Sequence, residues 1–147
     1  MAVRYTTNVD DIREDMLHGL FFEDWPNPPT PATHLRILRG SAQVVLAVDS
    51  DEHRVIGFIN AISDGVHAAF IPLLEVLPEF RRRGIGRELV RRMVDRLDGH
   101  YSIDLMCDPA MQPFYDNLGE WTRASGMSIR RFDRQAKGMP TSPVPNG

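Results

Sequence analysis

Cysteine occurs once in the 147 residues, at Cys107, so no intramolecular disulfide can staple this chain. A lone thiol points to a reducing, intracellular setting. No apolar run approaches the ~20 residues a membrane-crossing helix needs. The opening residues Met1, Ala2, Val3, Arg4 and Tyr5 lack the apolar centre of a secretion signal. These absences lead us to expect a cytoplasmic protein with no membrane partner. His18, His34, His53, His67 and His100 show no metal-ligand spacing, so no metal is expected. Lys137 is the only lysine, and the net charge of -3 argues against a general nucleic-acid binder. There is no internal repeat. The length suits one domain with a substantial core.

What the chain does have is arginine and glycine concentrated at one place. The string Leu74-Glu75-Val76-Leu77-Pro78-Glu79-Phe80-Arg81-Arg82-Arg83-Gly84-Ile85-Gly86-Arg87-Glu88-Leu89 reads as a buried strand, an arginine-rich turn and a helix that opens on two glycines. Gly84 and Gly86 let backbone approach a ligand closely, with no Cβ in the way. The free N–H groups of a first helical turn favour an anion. Arg81, Arg82, Arg83 and Arg87 add full charges around the same point. The combination is a cradle for a diphosphate. A P-loop would need Lys and Ser/Thr after the second glycine, and neither is there. A dinucleotide fingerprint would need a third glycine where Leu89 stands. The bland alternative is a solvated arginine turn capping an ordinary helix.

The rest of the chain alternates between the two regular periods. Residues 3–7 are β-prone. Asp10 or Asp11 can cap a helix in which Ile12, Met16, Leu17 and Leu20 follow helical spacing. Phe21, Phe22 and Trp25 form an aromatic group before a proline-rich loop. A short helix is expected over 33–39. Residues 42–48, 54–62 and 67–77 read as three strands joined by turns, an antiparallel meander. Residues 84–97 form the most strongly amphipathic helix, with Ile85, Leu89, Val90, Met93, Val94 and Leu97 on one face. A strand over 101–107 should pair in parallel after that helix. A short helix starting near Met111 holds Phe114, Tyr115 and Leu118. A last strand is expected over 126–132. The domain thus spans 1–132, and 133–147 is polar and Pro/Gly-rich, read as a disordered tail. The fold class is α/β (α+β), a mixed, mostly antiparallel sheet flanked by helices, in the order β-α-α-β-β-β-α-β-α-β.

Arg81-x-x-Gly84-x-Gly86 behind an L-x-V-x-P strand resembles the coenzyme A pyrophosphate loop of the GNAT superfamily of N-acetyltransferases. The order of elements is similar to that fold from Val3 to Phe132. A second string, Cys107-Asp108-Pro109-Ala110-Met111-Gln112-Pro113-Phe114-Tyr115-Asp116-Asn117-Leu118-Gly119, resembles the later motif of the same family. It departs at its end, where Glu120-Trp121 replaces the usual aromatic after glycine, so that Trp121 takes that place one residue late.

The resemblance implies an acetyl-CoA-dependent N-acetyltransferase that works by direct attack in a ternary complex, with no metal. It implies that the fourth and fifth strands splay and hold the acyl-pantetheine arm against backbone groups of Leu74 and Val76. Arg81, Arg82, Arg83, Gly84, Ile85, Gly86, Arg87 and Phe114 complete the cofactor set. Tyr115 would be the general acid, against the reading of a core tyrosine bonded to a carbonyl. Glu75 or Asp108 would be the general base. Glu75 could instead be a solvated outer side chain, and Asp108 could simply cap a helix before Pro109. The glucosamine-6-phosphate branch of the family also carries Asp at the Asp108 position. Its paired carboxylate, however, is replaced here by Pro72-Leu73. The acceptor expected is a small-molecule amine, and a homodimer is one assembly the resemblance implies. Three alternatives remain at this point: a non-catalytic acyl-CoA-binding module or sensor, a lysine or N-terminal protein acetyltransferase, and an anion-binding or nucleic-acid-binding protein using the arginines.

Overall fold

The computed structural model describes residues 1–140. Five strands form one mixed sheet in sequence order: β1 (Val3–Thr6), β2 (Gln43–Asp49), β3 (Arg54–Ser63), β4 (Ala68–Val76) and β5 (Ser102–Leu105). The first four pair antiparallel, and β5 joins β4 in parallel through the crossover helix α2 (Ile85–Arg96). Three α-helices flank the sheet: α1 (Pro31–Gly40), α2 and α3 (Gln112–Asp116). The expected α/β class and the parallel pairing are both present.

Local chemistry explains the boundaries. Helix α1 starts two residues before the expected position because Thr30 caps it. The Thr30 hydroxyl accepts from the Thr33 N–H at 3.2 Å, and Pro31 follows with its φ already helical. Helix α2 buries Ile85, Leu89, Val90 and Met93 over β2 and β3. Gly57 on β3 makes this approach close. A Cβ there would stand 3.2 Å from Leu89 Cδ1 and 3.3 Å from Ile85 Cγ2.

Three expectations need correction. The first helix shrinks to one 3-10 turn, Glu14–Leu17. Ile12, Met16 and Leu17 still reach the core, but the chain breaks at Gly19 (φ 120) and Leu20 is left exposed. The last strand, 126–132, does not form. Met127 and Ile129 stand 97% and 81% exposed, so this chain offers their alternating side chains no face to cover. Met106 lies against Gly126, within 3.2 Å of where a Cβ would sit. Finally, the stretch after Asp133 is ordered as far as Pro140. Arg36 on α1 donates to the carbonyls of Lys137 and Met139, and the Thr30 N–H donates to Ala136. Residues 141–147 of the expected tail lie outside the described residues.

On the face opposite α2, His34 of α1 is buried among Phe21, Phe22 and Phe58, with ring centroids 4.3–5.2 Å away. Its Nε2 has no hydrogen-bond partner. Burial in this apolar setting drives its pKa down from 6.5 to about 4. The neutral ring is therefore the folded form, while the unfolded chain takes up a proton below pH 6.5. Stability is fully present above that value and is lost as pH falls toward 4. Between pH 7 and 5 the loss from this group is about 2 kcal/mol. Denaturant titrations at both pH values should show it, and His34→Leu should show a smaller fall. An equal fall in the variant would remove His34 as the cause.

Candidate active site

Strands β4 and β5 run together for four residues only, from Ala68↔Ser102 to Ile71↔Leu105. The next residue of β4 is Pro72, which has no N–H to give a ladder. The β3–β4 register also slips here: two steps on β3 between Asn60 and Ile62 match three on β4 between Leu73 and Phe70. This is a β-bulge on β4 around Ile71-Pro72. Beyond it, Leu73 to Val76 pair with β3 alone, so their other edge faces an open cleft.

The two faces of β4 carry different chemistry. Val76 lies on the α2 side. A Cβ placed on Gly86 would sit 3.8 Å from Val76 Cγ2 and 3.7 Å from Phe114 Cζ. The end of β4, the first turn of α2 and the ring of Phe114 therefore meet at Gly86. Gly84 is the N-cap, in the left-handed region (φ 80), and no side chain caps the helix. The N–H groups of that turn are thus offered outward. Glu88, in the same turn, is neutralised by hydrogen bonds from Arg91 and Arg92, which hold its carboxyl down at about 2. The positive end of the helix is left for an anion.

The arginines divide. Arg82, Arg83 and Arg87 are exposed around the α2 start. Arg83 stacks over Phe80 (5.5 Å), and Arg87 donates to the Asn117 carbonyl at 3.3 Å. Arg82 holds a left-handed backbone (φ 64), rare for a residue with a Cβ. Arg81 turns away, toward the other face. Its Nε donates to the Val76 carbonyl at 3.1 Å and its guanidinium pairs with Glu23 at 2.9 Å.

Glu75 lies on that other face, next to Phe58 across the ladder. It is half-buried, not a solvated outer side chain. Its Oε1 accepts the Phe22 N–H at 2.7 Å. Burial is the largest influence and raises its pKa, the Phe22 N–H and Arg81 oppose this, and nearby Glu23 raises it again. Phe22 and Asp24 are both left-handed (φ 61 and 64). The sequence contains no signal for this strained loop, nor for the pairs that pin it.

Tyr115, on α3, is buried and packs edge-on to Phe114 and Trp121, with centroids at 5.0 and 5.5 Å. Burial, then the neighbouring Cys107, push its phenol up to about 12. Cys107 itself is raised by burial, then by Asp108, which keeps it a thiol. Asp108 is exposed before the 3-10 turn Pro109–Met111, and its side chain makes no cap bond there. A concavity of about 540 Å³ lies elsewhere, between β1 and the arginine side of α2. It shares no residue with the cleft. At the cleft the unpartnered edge of β4, the first turn of α2 and the Phe114 ring lie together. Among the described residues no three His, Cys, Asp or Glu side chains gather as a metal site. No helix among them is long and apolar enough to cross a membrane.

Comparison with known proteins gives the family and the fold. The sequence profile of the Acetyltransferase (GNAT) family matches residues 10–119. The chain is similar to a Deinococcus radiodurans R1 protein provisionally designated an acetyltransferase: 48% identity, TM-score 0.89, covering 95% of this chain and 94% of that one. It is also similar to a GNAT-family acetyltransferase of Streptococcus pneumoniae TIGR4 (25% identity, TM-score 0.70, 88% and 98% covered). It shares the fold of glucosamine-6-phosphate N-acetyltransferase from Arabidopsis thaliana (16% identity, TM-score 0.66, 88% and 99% covered). No curated protein sequence matches significantly. The chain belongs to the GNAT family of acetyltransferases.

The two glycines should separate by experiment. A Cβ at Gly86 meets only ordinary van der Waals neighbours, so Gly86→Ala should fold with unchanged or slightly higher stability. Gly84→Ala must hold a left-handed backbone and should lose about 1–2 kcal/mol. Thermal unfolding of the two variants checks this, and equal losses would contradict the assigned backbone.

Proposed function

We propose that this chain is an N-acetyltransferase that moves an acetyl group from acetyl-CoA to a primary amine of a small molecule, by direct attack in a ternary complex. One observation carries the reading: β4 loses its β5 partner at Pro72, and the free edge runs straight to the uncapped start of α2. The residues fit the group. The open edge of Leu74 and Val76 suits the amides of a pantetheine arm, as an added strand would. The α2 N–H groups with Arg82, Arg83 and Arg87 suit a diphosphate. Phe114 gives an apolar wall beside Gly86. When bound, acetyl-CoA supplies the activated acetyl thioester.

The chain's own residues would handle the protons. An amine must be neutral to attack, so a base must take its proton. Glu75 can do this at Oε2 or through water, since Oε1 is held by the Phe22 N–H. Its raised pKa makes it a better proton acceptor near neutrality than an ordinary carboxylate. Asp108 is the alternative, nearer Cys107 and Tyr115. Tyr115 keeps its proton up to about pH 12 and can give it to the departing thiolate. A backbone N–H near Val76 can hydrogen-bond the carbonyl oxygen as it gains charge, worth roughly 3 kcal/mol of barrier. Glu75 lies half-buried beside the loop that carries Phe22. A small acceptor suits that approach better than a folded protein surface does.

Tyr115→Phe should lower kcat by about 10²-fold or more with little change in KM for acetyl-CoA. Wild-type kcat in that variant would remove the general-acid role. In the pH profile of kcat/KM, the acidic limb should lie above the usual carboxylate range and be lost in Glu75→Gln. If it is lost only in Asp108→Asn, Asp108 is the base.

A further inference from the structure

We propose that residues 126–132 form a strand on the open edge of β5 in a second copy of this chain, and that the second copy returns the same strand. Every residue from Thr122 to Arg134 is exposed. Among the described residues, no main-chain N–H from Glu120 to Arg131 donates to another main-chain group. Met127 and Ile129 stand 97% and 81% exposed, two residues apart. Unpaired backbone with large apolar side chains at period two is a strand without its sheet.

Both ends of the segment are fastened. Trp121 packs edge-on against Tyr115, and the Asn27 amide donates to the carbonyls of Phe132 and Asp133. Between them Gly126 passes Met106, one residue beyond the end of β5. The segment therefore runs past the end of β5 instead of along its edge. That edge stays open: β5 is the last strand of the sheet, with β4 on one side and no strand on the other.

The two partners alternate in the same sense. On β5, Ile103 and Leu105 pack against the core while Asp104 is exposed. On the segment, Met127 and Ile129 share one face, and Ser128 and Arg130 share the other. Laid beside β5 in either direction, Met127 and Ile129 extend the apolar face of Ile103 and Leu105. Arg130 then falls on the face of Asp104, so charge and burial select the same register. Seven residues reach about 24 Å as a strand, against about 14 Å for β5. The added strand is thus long enough to continue over Met106, which is 42% exposed. The occupant is a second copy because this chain carries both halves of the joint. In a two-fold pair each copy supplies one edge and receives one strand.

Sedimentation equilibrium of the full chain should give twice the 16.7 kDa of one copy. The amides of Met127 to Arg131 should exchange with solvent about tenfold or more slower than those of Thr122 to Ser125. Met127→Glu/Ile129→Glu should yield a folded monomer in which the slow amides become fast. Ser128→Pro/Ile129→Pro removes two successive N–H groups, one of which any strand pairing uses, and should act likewise. These positions are exposed, and far-UV circular dichroism checks that the fold survives. A wild-type monomer overturns the proposal, as does a dimer that both variants retain or one whose 127–131 amides exchange fast. Slow amides in a monomer would put the strand on its own β5 and also overturn the exchange.

Discussion

A backbone without an N–H cannot extend a hydrogen-bonded ladder, and Pro72 puts such a residue in the middle of β4. The parallel pairing with β5 ends one residue earlier, at Ile71↔Leu105. The adjacent bulge re-aims the remainder of β4 while β3 still holds it. The outcome is an edge from Leu73 to Val76 with no neighbouring strand, on which the Val76 carbonyl accepts from Arg81. An exposed strand edge is normally a liability. Here it ends beside the first turn of α2, where Val76 meets Gly86.

The two faces of the same strand then divide the work. On one, Gly57 lets α2 sit close to the sheet, so the first-turn N–H groups of the helix lie beside Val76 and Phe114. On the other, Glu75 is half-buried in an apolar setting formed by Phe58 and the loop at Phe22. The field is positive at one end and negative at the other. Arg81 joins them, with its stem at the cradle loop and its head on Glu23.

The sheet, α2, the glycine-arginine turn and the pair Phe114-Tyr115 were legible in the sequence, because each rests on local periodicity or on a spacing that one turn of backbone enforces. The parts that were not legible depend on contacts distant in sequence. The first helix reduces to a single 3-10 turn because three apolar side chains reach the core without a longer helix. The 126–132 stretch has strand alternation but no partner edge in this chain to realise it. The bond from Phe22 to Glu75 joins residues 53 apart, and nothing in the sequence around Phe22 announces a left-handed backbone. Gly57 does carry a local signal for this packing: a glycine inside a strand pattern marks a close approach, and α2 makes that approach.

Isothermal titration of acetyl-CoA into the full chain, beside an Arg83→Glu/Arg87→Glu variant, tests the central claim most directly. The account predicts micromolar binding, about -8 kcal/mol, that the charge-reversed variant loses. Absence of binding to wild type, or equal binding by both proteins, would contradict a cofactor cleft running from the free edge of β4 to the start of α2.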